Sequence, residues 1–217
     1  MSGPVTAPTL RRPLLVATAI VSLLGLAVEV YASVTPDDAW LDVLWPLLSL
    51  SAEANLPTWF ASSLLLCCAL AAGAIASRMQ PREPWRRHWW GIAIALAWVS
   101  LDESAELHEH LGGHFETSGI LFFDWVIWAG LLVAVLAVIY LPFLRALSSP
   151  TRERLVIAAV VYVGGALVME LPLGWYVERA GTETLGYALI DWVEETLELV
   201  GASLALSALV AHARSRA

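Results

Sequence analysis

Carboxylates crowd two stretches of this chain that are otherwise apolar, and their spacing sets what chemistry they could do. Leu101-Asp102-Glu103-Ser104-Ala105-Glu106-Leu107-His108-Glu109-His110 closes one apolar run, and Asp191-Trp192-Val193-Glu194-Glu195-Thr196-Leu197-Glu198 opens another. Read as helix, Asp191, Glu194, Glu195 and Glu198 recur at i, i+3, i+4 and i+7 and form one stripe. Asp102, Glu106, His110 and His114 follow successive i+4 steps, with Gly112-Gly113 as a stop signal before His114. Asp102 and Glu109 share nearly the same face. Glu29 and Glu170 stand at a similar level in two further runs, with Asp124 and Glu53 shallower. Glu170 precedes Pro172, which removes a helix hydrogen bond and frees the carbonyl of Val168. A carboxylate beside a freed carbonyl resembles the irregular backbone used at ion sites in membranes.

Carboxylates packed this closely cannot all stay ionised without a cation. Either some carry protons, or a divalent metal neutralises them. The expected ligand set is Asp102, Glu103, Glu106, His108, Glu109, His110, Glu170, Glu194, Glu195 and Glu198. Oxygen donors alone suit Ca²⁺, Mg²⁺ or Mn²⁺, and His108 or His110 would shift the balance toward Zn²⁺, Fe or Mn. Two-metal helix bundles carry a Glu-x-x-His step on two helices. This chain has Glu103-x-x-Glu106-x-x-Glu109 and Glu195-x-x-Glu198 but no Glu-x-x-His, so the likeness to such bundles is partial. The plainer alternative is that both helices protrude and leave their acids solvated.

The elements that must position these groups are membrane helices. The chain is 59% hydrophobic with 11 Trp, and only 15% of it is charged. Apolar runs near 14–31, 59–76, 89–108, 121–141, 155–175 and 187–211 each approach the ~20 residues that cross a hydrocarbon core. The expected fold is all-α: one polytopic bundle of six transmembrane helices over 1–217, with no linker, repeat or separate soluble domain. Asp37-Asp38 should cap a short interfacial or re-entrant helix carrying Trp40, Leu41, Leu44, Leu47 and Leu48, bent at Pro46, between helices one and two. It reads equally as a lid or as a Trp-anchored surface helix. Arg11-Arg12 followed by an apolar run also resembles a signal peptide with a cleavage site near Ala32-Ser33. A retained helix is preferred, because the run is long and carries Glu29.

Charge sets the expected orientation. Arg11, Arg12, Arg78, Arg82, Arg86, Arg87, Arg145, Arg152, Arg154, Arg214 and Arg216 fall on one side of that topology, and only Arg179 on the other. Positive loops stay in the cytoplasm, which puts both termini there and the acids on the periplasmic side of a bacterial inner membrane. The net charge of −8 is then a vertical asymmetry rather than a nucleic-acid signal. In the third and sixth helices the clean apolar run covers only about 20 Å. Crossing ~30 Å therefore carries Asp102, Glu103 and Glu198 into the outer part of the bilayer, where charge is costly and usually functional.

Several chemistries are excluded. The chain has no Lys, which removes a retinal Schiff base and lysine-based covalent catalysis. No His lies mid-membrane to ligate haem, and no phosphate loop or nucleophile elbow appears, so no nucleotide is expected. Adjacent Cys67 and Cys68 are neither a redox pair nor a zinc knuckle and read as packing residues.

The segments Glu53-Ala-Asn55-Leu-Pro57-Thr58-Trp59, Leu101-Asp102-Glu103 with His108-Glu109, and Glu194-Glu195 with Glu198 resemble a family of small bacterial polytopic membrane proteins of uncharacterised function. The resemblance spans most of the chain but implies no activity, substrate or cofactor. It rests on Asp102, Glu103, His108 and Glu109, and does not clearly include Glu106, His110 or His114.

Three functions remain open. A metal-dependent membrane enzyme acting on lipid or a periplasmic small molecule needs only an outward cavity with an open coordination position, and Glu109 would be a candidate base. A divalent-cation or proton-coupled transporter needs a polar path through Ile92–Val99 and Leu199–Val210, where small residues and two serines offer little. A non-enzymatic protein would use the acidic rim to dock a basic partner. The lipid bilayer is the one expected partner common to all three.

Overall fold

The computed structural model describes residues 10–107 and 117–216, and these are helical with no strand among them. In chain order the helices are α1 (Arg11–Val34), α2 (Leu41–Leu48), α3 (Leu56–Arg78), α4 (Arg86–Ala105), α5 (Trp125–Ala146), α6 (Ser149–Val163), α7 (Glu170–Ala180) and α8 (Leu185–Ser215). A π turn over Gly164–Met169 joins α6 to α7 in one continuous helix, Ser149–Ala180. Five helices are long and apolar enough to cross a membrane: α1, α3, α5, the α6–α7 helix and α8. The expected third span is present as α4, a helix of 20 residues, but its charged ends leave it outside that set. The short helix after α1 is also present, with Pro46 inside it. Its Asp38 does not cap α2 itself. The Asp38 carboxylate accepts the Trp40 N–H at 2.9 Å and the Tyr31 hydroxyl at 2.5 Å, tying the turn back to α1.

Helix α8 is the centre of the bundle, packed against α1, α3 and α6. Polar and small residues make these contacts close. Thr18 and Ser203 share a hydrogen bond at 2.7 Å, Ser22 and Thr196 another at 2.6 Å, and the Trp192 indole N–H donates to the Ser22 carbonyl at 2.8 Å. Such bonds fix helix partners where lipid offers no competing water. A Cβ on Gly201 would lie 2.6 Å from the Tyr162 nitrogen, and one on Gly165 would lie 2.8 Å from the Glu194 carbonyl oxygen. Gly201 and Gly165 are therefore what lets the α6 side sit directly on the α8 backbone. On the α3 side, Cys68 is fully buried and its thiol faces the Ala202 carbonyl, whereas Cys67 is exposed.

Helix α4 runs antiparallel along α3. The Ser62 hydroxyl donates to the Ser100 carbonyl and the Ser100 hydroxyl to the Ser62 carbonyl, each at 2.8 Å, and Ser104 adds a third hydroxyl at 2.8 Å. At the arginine-rich end Trp89 is buried, stacked on His212 of α8 and edge-on to Phe143 of α5.

Among the described residues, helix α5 touches the π turn and is held near its two ends by different neighbours. Toward its C-terminus it meets α4: Phe143 is fully buried, and the Tyr140 hydroxyl donates to the His88 carbonyl at 3.2 Å. At the other end, the turn leading into α5 packs Phe122 and Phe123 on Gly174 of α7, and the Gly119 N–H donates to Glu178 at 2.9 Å. Helix α5 therefore crosses diagonally from α7 to α4.

Candidate functional site

The acidic stripe of α8 faces inward. Asp191 is 9% exposed and Glu194 7%, as are Glu170 (8%) at the start of α7 and Glu29 (7%) of α1. Glu195 and Glu198 are half-buried. Glu194 lies within electrostatic range of Glu170, Glu198 and Asp191. Glu198 and Glu195 in turn face Glu103 of α4, and Glu198 lies beside Tyr162 of α6. Four elements thus bring carboxylates to one level at the end of the bundle opposite the arginines. One Glu194 oxygen is buried with no hydrogen-bond partner.

Two local features place these groups. The π turn is the first, since it contains Gly165, which packs against Glu194 and Glu198, and leads directly into Glu170. The backbone is irregular just before Pro172, as a π turn over Gly164–Met169, and the Val168 carbonyl is not shown to be free. Such π segments recur where a helix must re-aim a functional side chain. The end of α4 is the second. The helix stops at Ala105, and Glu106 takes a left-handed conformation, φ 51°. The expected i+4 ladder is therefore broken at its second rung: Asp102 and Glu103 belong to the helix and Glu106 does not. His108, Glu109, His110 and His114 lie outside the described residues.

A loop that sequence reasoning passed over closes the acidic end. The Ser49 hydroxyl donates to Glu29 and the Ser51 hydroxyl to Asp191, both at short range. Leu50 between them is buried against Gly25. Asn55 latches the loop, donating to the carbonyls of Ser49 and Ala52 at 2.7 Å while its own oxygen accepts from the Thr58 N–H at 3.1 Å. For the segment read equally as a lid or as a surface helix, it is the residues after α2 that close the acidic end. The alternation of serine and leucine in Leu48-Ser49-Leu50-Ser51 was the available signal.

Chemically the arrangement offers a dense set of oxygen acceptors, hydroxyl donors at its rim, and one phenol. Among the described residues, no group of three His, Cys, Asp or Glu side chains is arranged to hold a metal ion. Asp124, the shallower candidate at the start of α5, is buried, and Glu53 is exposed beside Glu103.

Comparison with curated proteins and with solved structures finds no match. A family model described as a domain of unknown function, DUF8692, matches residues 9–213, and the chain belongs to that family.

Proposed function

We propose that this chain is a single integral membrane domain that binds a cation among the buried carboxylates of α1, α4, α7 and α8. The observation that carries the reading is Glu194: its carboxyl is buried among Glu170, Glu198 and Asp191, with one oxygen that no donor satisfies. An acceptor left like this in the interior costs about 1–3 kcal/mol, more if charged, unless a ligand or proton satisfies it. The chain has no Lys, every arginine but Arg179 lies toward the other end, and Arg179 is engaged by Glu178 and Trp175, which favours a positive charge supplied by a ligand.

In this reading α4 is a sixth crossing, both termini are cytoplasmic, and the acidic end faces the periplasm of a bacterial inner membrane, as the arginine distribution favours. The cation is a divalent metal, Zn, Fe, Mn or Ca. The chemistry is that of a metal-dependent membrane enzyme acting on lipid or a periplasmic small molecule. Transport is disfavoured by the arginine half of α8, where buried Ser203 is already bonded to Thr18 and Leu199, Leu206 and Leu209 fill the core.

The test is metal content of protein purified in mild detergent without chelator or affinity-tag metal, beside a Glu194→Gln, Glu198→Gln double variant. Near-stoichiometric metal that disappears in the variant supports the reading, and a chelator should then lower the thermal midpoint. No metal in either sample, together with failure to bind added Mn²⁺, Fe²⁺, Zn²⁺ or Ca²⁺, would sink it. A second reading is favoured by the lack, among the described residues, of a converging three-donor group: the same carboxyls hold and pass protons. It expects a pH-dependent carboxyl stretch in infrared difference spectra that Glu194→Gln removes.

A further inference from the structure

The acidic site is closed at its end and open at its side. Ser49, Leu50 and Ser51 seal the end by bonding Glu29 and Asp191 and packing on Gly25. Glu103, Glu195, Glu198 and Tyr162 keep partial exposure. They come from α4, α8 and α6, and the side between α4 and α6 is the one that α5 crosses diagonally.

That crossing leaves a gap. Ala134, Val135, Leu136, Ala137, Val138 and Ile139 are all exposed. At about 100° per residue they cover more than a full turn, so the side of α5 that faces the bundle is open as well. The register can be read from Tyr140, whose hydroxyl would collide with a Cβ on Gly91 of α4. The two helices run antiparallel with the same rise. Glu103, twelve residues beyond Gly91, is then level with Trp128, twelve before Tyr140. The open stretch 134–139 stands opposite 92–97, directly beneath the carboxylates. The fully open stretch 134–139 is about 8 Å long, and above it Ala129, Gly130 and Val133 are half-buried, so the gap narrows toward the level of Trp128 and the acids.

The geometry points to an amphiphile as the cation of this site: a protonated primary amine that enters sideways from the bilayer, with its head among Glu194, Glu198 and Glu103 and its alkyl tail along α5. While Arg179 is engaged by Glu178 and Trp175, an ammonium group supplies positive charge among these carboxylates. Its N–H donors also satisfy the Glu194 oxygen, which a quaternary head could not do. The inference rests on the cation reading above and replaces the inorganic ion with an organic one that competes for the same oxygens.

The experiment uses the full chain in nanodiscs of neutral lipid, with empty nanodiscs as the baseline. Binding of dodecylammonium is compared with that of butylammonium, dodecyltrimethylammonium and dodecyl maltoside, and binding of Mn²⁺ is measured on the same samples. Dodecylammonium should bind saturably and at least tenfold more tightly than butylammonium or dodecyltrimethylammonium, with dodecyl maltoside not binding. Ala137→Trp fills the slot, because Ala137 shares a face with Val133 and Tyr140. It should weaken dodecylammonium tenfold or more and leave butylammonium unchanged. Val138→Trp, on the lipid side, should change neither. Equal affinity for the two amines, or no saturable binding above empty nanodiscs, overturns the inference. Mn²⁺ binding without amine binding would leave the metal reading standing alone. Amine binding without any divalent ion would uphold the inference and retire the metal.

Discussion

Asp38 shows how one carboxylate outside the bundle is tuned by its donors. The Tyr31 hydroxyl and, after it, the Trp40 N–H stabilise the ionised form and hold Asp38 below its ordinary 3.8. A carboxylate depressed in the folded state contributes fully above that ordinary value, and its contribution is lost as pH falls through the lower folded value. Tyr31→Phe should return the Asp38 titration toward 3.8, so the turn between α1 and α2 opens at higher pH than in the wild type. The Asp38 carboxyl resonance and amide exchange at Trp40 would show this, and an unchanged titration would refute it. At this scale the stripe Asp191, Glu194, Glu195 and Glu198 was legible, because helical periodicity alone fixes a face. The partners were not: nothing in the spacing says that Ser51 reaches Asp191 or that Tyr162 stands beside Glu198. Those pairings depend on how far a loop folds back and how closely two helices approach.

That approach belongs to the elements, and two glycines set it. A Cβ on Gly201 would meet backbone and side-chain atoms of Tyr162 within 2.7 Å, and none of these is the end of a flexible side chain. Gly201→Ala should therefore destabilise by about 1–3 kcal/mol, in the range of overpacked cores, and should shift Tyr162 away from Glu198. Gly164→Ala is the matched control, since nothing lies within 4 Å of the added carbon. Its thermal midpoint in detergent should not fall. Equal losses for the two would show that close packing at Gly201 is not what holds α6 to α8. The glycines were visible in the sequence, but their use was not, because a helical glycine reads alike at a tight crossing and in open lipid. The end of α4 misled for a related reason. Polar residues continue through Glu106, His108 and His110 at helical spacing, and periodicity cannot register a single residue turning left-handed.

For the molecule as a whole, apolar run length carried most of the architecture. All six expected runs fall on helices, and five meet the criterion for a span. At this scale parity tests the crossing of α4. With α4 crossing, the chain crosses six times and both termini share a side. Without it the count is five and they do not. Reporter fusions at the two ends should give matching cytoplasmic signals, and opposite signals would remove the sixth crossing together with the assigned orientation. The serine pairs between α3 and α4 bear on how such a chain enters a membrane at all. Helix α5, the most apolar of the spans, would partition from a translocon unaided. Helix α4 carries Asp102 and Glu103, each costing roughly 2.5–3.5 kcal/mol at mid-bilayer and less near its edge. Ser62 and Ser100, each bonded to the other's carbonyl, let α3 hold α4 as a finished hairpin. In the six-crossing reading, biogenesis would be pairwise rather than helix by helix. The acids of α4 would then cross as the passenger of its neighbour, and a chain interrupted after Arg78 would have α3 but nothing yet committed to the second half of the hairpin.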